Sequence, residues 1–306
     1  MKFMKIKAFN KLRSIYTFLK VLYYKKYIKS IFNILLKNNV MIFNKDSSID
    51  RLLKAKKNIA RFGDGEFDLI LKKSDPGFQR IDPNLSKRLI EVLTSDLDNL
   101  LVAIPYSLIN LDENTNISTL FWGNYLKRNG DLLIPYIANK KFIDASITRL
   151  YIPSMNQKLA LKRFDKLKAI WEGKDILFVE GEFSRMGVGN DLFINSKTIK
   201  RIICPSKNAF DRIEDILESV KTHGKDKLIL CSLGPTATII AYELAKNDMW
   251  CLDIGHIDIE YMWALKNKGR TPIPGRLLNE VNTGEIQELD IDIINSYNKS
   301  IIERIN

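Results

Sequence analysis

Short runs of uniformly apolar residues alternate with amphipathic stretches along most of this chain, and that alternation leaves few folds open. The runs occupy residues 100–105, 149–152, 176–180, 201–204, 228–232 and 250–254. Between them, residues 85–98, 117–128, 157–171, 209–220, 236–246 and 259–265 repeat apolar side chains at helical spacing. Strand–helix alternation of this kind predicts an α/β fold built on a mostly parallel sheet with helices on both faces. The runs lack polar alternation, as strands covered on both faces should. No internal repeat or low-complexity linker interrupts the pattern. Residues 46–306 are therefore expected to form one domain, closed by a terminal helix that starts in the acidic stretch near 285–292.

Charge divides the chain differently. The net charge is +12, yet the first 45 residues hold eleven Lys or Arg and no acid, while the remaining 37 basic and 36 acidic residues nearly cancel. The basicity belongs to an N-terminal extension over residues 1–45, which argues against nucleic acid as a partner of the main body. Within the extension Ile15, Phe18, Leu19, Leu22 and Tyr23 recur at helical spacing, as do Tyr27, Ile31, Ile34 and Leu35. Lysines break every apolar run before it reaches the ~20 residues of a membrane span. Two readings follow: a basic amphipathic helix on an anionic membrane surface, or helices packed on the body or on a partner protein. No secretory signal is recognisable. The three cysteines, Cys204, Cys231 and Cys251, lie in or beside apolar runs without metal-ligand spacing, so buried reduced thiols in a cytoplasmic protein are expected.

In open α/β sheets, ligands bind beyond the carboxyl ends of the strands. Four polar clusters fall at such ends. The first, Arg61-Phe62-Gly63-Asp64-Gly65-Glu66, follows an apolar segment at residues 58–60. In extended backbone positions i and i+2 share a side, so Asp64 and Glu66 would face one hard cation, with Arg61 beside them and Gly63 and Gly65 admitting an anionic ligand. An ordinary Gly-rich turn is the competing reading. The second cluster runs from Glu180 through Glu182, Arg185, Gly187, Gly189, Asn190 and Asp191. Its Gly187-Val188-Gly189 lacks the third glycine of a dinucleotide fingerprint, where Leu192 stands, and no P-loop motif occurs. A loop cradling phosphate or sugar hydroxyls, and a plain turn, both remain open. The third, Gly234-Pro235-Thr236, opens a helix whose free N–H groups suit a phosphate, or is simply capped. The fourth, His256-Ile257-Asp258-Ile259-Glu260, offers a metal ligand or a general base, or a structural histidine.

Together these clusters resemble the GT-D type bacterial glycosyltransferases. Besides the first, the resemblance rests on Val179-Glu180-Gly181-Glu182, Gly187-Val188-Gly189-Asn190-Asp191, the stretch Ile202 to Phe210, Leu233 to Thr238, and Asp253 to Tyr261. It covers roughly residues 45–275. The resemblance implies a Rossmann-like fold and transfer of a sugar, typically glucose, from a UDP-sugar to a growing surface glycan or glycoprotein O-glycan. It implies a D-x-E element, here Asp64-Gly65-Glu66, holding Mn²⁺ or Mg²⁺. His256 is a further candidate metal ligand. Asp258, Glu260 and Glu182 are candidates for the general base. Arg61, Gly63, Gly65, Arg185, Gly187, Gly189, Asn190, Asp191, Gly234, Pro235 and Thr236 are expected around the donor.

The expected partners are the UDP-sugar, a glycan or glycoprotein acceptor, an anionic membrane surface met through the N-terminus, and a second copy of the chain. The expected location is the cytoplasm, at the inner face of the cell membrane. The alternatives are a nucleotide-dependent hydrolase or phosphotransferase on a similar sheet, and an inactive membrane-docking scaffold.

Overall fold

The computed structural model describes residues 2–278, 281 and 289–306. Among them, nine strands form one sheet: β1 (Met41–Ile42), β2 (Asn58–Arg61), β3 (Leu100–Ile104), β4 (Lys141–Asp144), β5 (Asp175–Gly181), β6 (Thr198–Cys204), β7 (Leu228–Ser232), β8 (Cys251–Asp253) and β9 (Ile301–Arg304). Their spatial order is β1-β4-β3-β2-β8-β7-β5-β6-β9, and all pair in parallel. The helices are α1 (Lys2–Lys37), α2 (Lys45–Lys54), α3 (Asp64–Ile70), α4 (Pro83–Leu93), α5 (Asn116–Ile137), α6 (Gln157–Trp171), α7 (Ile213–His223), α8 (Pro235–Ala245), α9 (Ile257–Leu265) and α10 (Ile291–Ser300).

The doubly covered sheet follows from the apolar strands. In β5, Leu177 and Val179 face a core shared with α1, α3, α4, α5, α7 and α8. Ile176 and Phe178 face the opposite core, built with α2, α6 and α9. Side chains alternate faces along a strand, so a run apolar throughout feeds both cores at once. Local signals set the helix starts. Asn44, Asp82, Thr115 and Asn156 each accept a first-turn N–H, and Pro83 follows Asp82 as the first residue of α4.

Several boundaries differ from the sequence expectation, each for a physical reason. Residues 149–152 are loop rather than strand. Leu150 and Tyr151 are buried there, and the Tyr151 and Ile152 N–H groups donate to the Glu260 carboxylate instead of to a ladder. The strand in this region is β4, whose mixed Lys-Phe-Ile-Asp sequence does not announce it. Helix α5 runs past residue 128 to Ile137, through both of its glycines. A Cβ on Gly123 would lie 2.2 Å from the Tyr24 ring of α1, and one on Gly130 would lie 3.8 Å from Ile31. The chain end holds α10 and then β9, which pairs with β6, so the last residues extend the sheet. The acidic residues 285–288 lie outside the described residues.

The second half of α1 is built into the domain. Tyr24, Ile28, Ile31 and Leu35 are buried against α5, and β1 is an edge strand on β4. The chain leaves β2 for β3 through α3 and α4 on one face, and leaves β8 through α9 on the other face toward β9 at the far edge. The connections from β2 and β8 thus run in opposite directions, and in doubly wound sheets the carboxyl ends of strands at such a reversal are where ligands bind.

Gly123→Ala tests the helix contact. The added methyl meets the Tyr24 ring and should cost about 1–3 kcal/mol, measured by urea denaturation, with limited proteolysis cutting first within α1. Unchanged stability and proteolysis would show that α1 does not sit in this notch.

Candidate functional site

The four polar clusters follow β2, β8, β7 and β5, four strands that are neighbours in the sheet in that order. The fold thus gathers on one edge what the sequence scatters over about two hundred residues.

At the end of β2, Arg61 is a joint. Its Nη2 lies 2.7 Å from Asp253 Oδ1, its Nε donates to the Asp253 carbonyl at 2.8 Å, and its Nη1 donates to Thr148 Oγ1 at 2.7 Å. Thr238 of α8 donates to the Arg61 carbonyl at 2.8 Å. Gly255 leaves room for the guanidinium: at φ +47° it adopts the left-handed region, and a Cβ there would lie 2.2 Å from Arg61 Nη2. Asp253 and Thr238 lie within the motifs that carry the resemblance but were given no role there, and Thr148 was not singled out in the sequence. The signal available was an acid ending a buried apolar run, Cys251-Leu252-Asp253.

Asp64 and Glu66 are not in extended backbone. Gly63 caps α3, so the pair occupies the helix's first turn, where residues two apart do not face one another. Neither Gly63 nor Gly65 has a positive φ. The Glu66 carboxylate accepts the Gly63 N–H at 2.7 Å, and Tyr125 donates to Asp68 at 2.8 Å just behind. Glu66 keeps partial solvent access, yet the protein around it pushes its pKa up to about 7, mainly by desolvation and then by the Asp253 charge. Among the described residues no three His, Cys, Asp or Glu side chains converge so as to hold a metal ion. Asp64, Glu66 and His256 therefore do not form a preassembled shell. His256 stands at the N-cap of α9.

The loop after β5 is fastened from inside. Glu180, fully buried, accepts the Met186 N–H at 2.6 Å and pairs with Arg201 at 2.5 Å. Burial raises its pKa and Arg201 opposes that. Asp258, equally buried, accepts the Gly187 N–H at 2.8 Å and pairs closely with Arg276, which donates to the Val188 carbonyl at 2.7 Å. In this loop, read from sequence as a cradle for phosphate or sugar hydroxyls or as a plain turn, the Met186 and Gly187 N–H groups are thus already bound to the protein's own carboxylates. Left-handed φ recurs at Phe183, Arg185, Gly187 and Gly189. For Phe183 and Arg185 that is a strained conformation, held by the surrounding clamps. The Arg185 guanidinium lies 5.7 Å from the Phe183 and Tyr297 ring centres. Asn190 accepts the Leu192 N–H in a local turn. Asp191 accepts from Tyr261 at 2.8 Å and pairs with Lys168 at 3.1 Å, which hold its carboxyl below the usual range.

At β7, Gly234 takes φ +54° where a Cβ would lie 2.5 Å from Phe78. Pro235 opens α8, and buried Thr236 Oγ1 has no hydrogen-bond partner among the described residues. The three general-base candidates separate sharply. Asp258 and Glu260 are at most 1% exposed, with Glu260 bound to the Tyr151 and Ile152 N–H groups at 2.9 and 2.8 Å. Both carboxylates fasten loops out of reach of an acceptor. Glu182 is exposed, with its backbone anchored to the Cys204 carbonyl.

This separation is testable by stability alone. Asp258→Ala strands the buried Arg276 charge and should cost about 3–5 kcal/mol in urea denaturation. Glu182→Ala should stay within about 0.5 kcal/mol of the parent. Equal stabilities for the two variants would remove the structural role given to Asp258.

Comparison with known proteins identifies the family. The family model described as glycosyltransferase GT-D fold matches residues 59–281. The probable glycosyl transferase Gly of Streptococcus gordonii is 38% identical over 225 residues, covering 73% of this chain and 33% of its own length. Glycosyltransferase GlyD of Streptococcus pneumoniae serotype 4 is 33% identical over 264 residues, covering 85% of this chain and 32% of its own. The chain therefore spans about a third of the length of these relatives. Among solved structures, the domain of unknown function 1792, described as having a distinct glycosyltransferase fold, superposes with a TM-score of 0.84 at 32% identity, over 90% of this chain and 99% of that one. A glycosyltransferase from Streptococcus sanguinis gives 0.81 at 35% identity, over 87% and 100%. With four clusters on four adjacent strand ends and a family match over most of the sheet, this chain belongs to the GT-D fold family of glycosyltransferases.

Proposed function

We propose that the chain transfers a hexose, glucose foremost, from a UDP-sugar to a growing bacterial surface glycan, with a divalent cation at Asp64 and Glu66. The observation that carries this reading is the alignment of the four clusters on the carboxyl ends of β2, β8, β7 and β5. A UDP-sugar needs a diphosphate site, a sugar site and an acceptor site side by side, and this edge offers contiguous positions for them.

The donor set suits a cation that brings its own partners. Mg²⁺ and Mn²⁺ commonly use one or two carboxylates and complete their shell with water and substrate phosphate. Asp64 and Glu66 supply two carboxylates on the first turn of α3, with Asp64 partly exposed. When bound there, the cation would neutralise charge developing on the leaving diphosphate. The chain's own residues supply the rest. The Arg61–Asp253 joint fixes the end of β2 and so the start of α3. The N-terminus of α8 at Gly234–Thr236 adds positive potential through the helix dipole. Arg185 offers a guanidinium between the β5 loop and α10. If the sugar inverts, the acceptor hydroxyl must lose its proton to a carboxylate in the open site, and Glu182 is the exposed candidate.

UDP release with Mn²⁺ should fall about 10²–10³-fold in Asp64→Ala and in Glu66→Ala. Near-parental turnover in both would defeat the cation site. Thermal stabilisation by UDP with Mn²⁺, and none by ATP, separates this reading from a nucleotide hydrolase; the reverse pattern would overturn it.

A further inference from the structure

The first half of α1 carries a second surface, unused by the fold. Leu12, Ile15, Phe18, Leu19 and Leu22 recur at helical spacing and are each 47–66% exposed. They lie on the side of α1 opposite the buried Tyr24, Ile28 and Ile31 that hold it to α5. Exposed Lys11 and Arg13 stand at the start of this stripe and exposed Lys26 and Lys29 follow it, and no acid occurs before residue 46. No helix among the described residues is long and apolar enough to cross a membrane. An exposed apolar stripe with cations and no anions matches the surface of an anionic bilayer.

The direction of α1 adds a functional consequence. Tyr24 meets Asn124, Ile31 sits beside Gly130, and Asn39 bonds Asn139, so α1 runs parallel to α5. Helix α5 follows β3 and precedes β4, two parallel strands, and so begins at the carboxyl edge of the sheet. Matching the two helices residue for residue, α1 overhangs the start of α5 by its first turns, about 20 Å at 1.5 Å per residue. The overhang extends past the same edge that carries the four clusters.

We propose that α1 beds on an anionic membrane and sets the carboxyl edge of the sheet at its surface, so that the acceptor is a glycan carried on a membrane lipid. The acceptor class rests on the glycosyl-transfer reading above, whereas membrane bedding and its orientation do not.

The test therefore reads binding and geometry rather than turnover. Full-length protein should float with phosphatidylglycerol-containing vesicles, not with phosphatidylcholine alone, and added salt should release it. The double variant Phe18→Asp, Leu22→Asp should bind at least about tenfold more weakly while retaining the parent's unfolding midpoint. All three native cysteines are buried, so one exposed cysteine can be labelled selectively. A dye at Met155→Cys, in the loop at the carboxyl edge, should transfer energy to a headgroup acceptor more strongly than one at Lys225→Cys, at the amino edge. Equal vesicle binding by parent and double variant overturns the bedding. Stronger transfer from Lys225→Cys, or equal transfer, overturns the orientation. A parental dimer that the double variant dissociates, without vesicle uptake, assigns the stripe to a second copy of the chain and also overturns the proposal.

Discussion

The Arg61–Asp253 pair is the joint on which the site depends. Strands β2 and β8 share a single register pair, Ile59 with Leu252, so few ladder bonds hold the two halves of the sheet together there. The guanidinium replaces them, binding the carboxylate and carbonyl of Asp253 and the hydroxyl of Thr148 in one fork. Charge-assisted hydrogen bonds in a largely buried place are stronger than neutral ones and more exacting in geometry. Because only Phe62 separates Arg61 from Gly63 and α3, the same pair fixes where Asp64 and Glu66 stand.

Around that joint the protein uses buried carboxylates to shape loops. Glu180, Asp258 and Glu260 each accept backbone N–H groups from a segment that has no regular secondary structure. Arg201 and Arg276 neutralise the first two. A backbone N–H buried without a partner costs free energy, and a buried carboxylate costs more unless paired. Joining the two solves both, and it lets the β5 loop hold left-handed φ at Phe183 and Arg185. Of the cluster acids, Glu182 and Asp191 stay exposed and Asp64 and Glu66 stay partly so.

Helix α1 serves two surfaces with one element. Its second half completes the apolar core beside α5, where Gly123 gives the Tyr24 ring its place. Its first half exposes apolar and cationic side chains beyond the carboxyl edge of the sheet. The family match begins only at residue 59, so this helix lies outside the segment shared with the family model.

The sequence by itself determined the fold class, the parallel sheet and the placing of four polar clusters at its edge. Runs such as Leu228–Ser232 are apolar on both faces, and nothing but a doubly covered strand accommodates that. The family, too, was legible in the order of the clusters. Only the tertiary structure decided what each residue does there. Asp258, Glu260 and Arg61 read as site chemistry because charge near glycine at a strand end looks alike whether it faces a ligand or a backbone. Their partners Arg276, Tyr151, Ile152 and Asp253 lie between 18 and 192 positions away along the chain. Burial and hydrogen-bond pairing are properties of packing, and no local pattern encodes them. The strand at Lys141–Asp144 was missed for the same reason, since its place between β1 and β3, rather than its composition, makes it a strand.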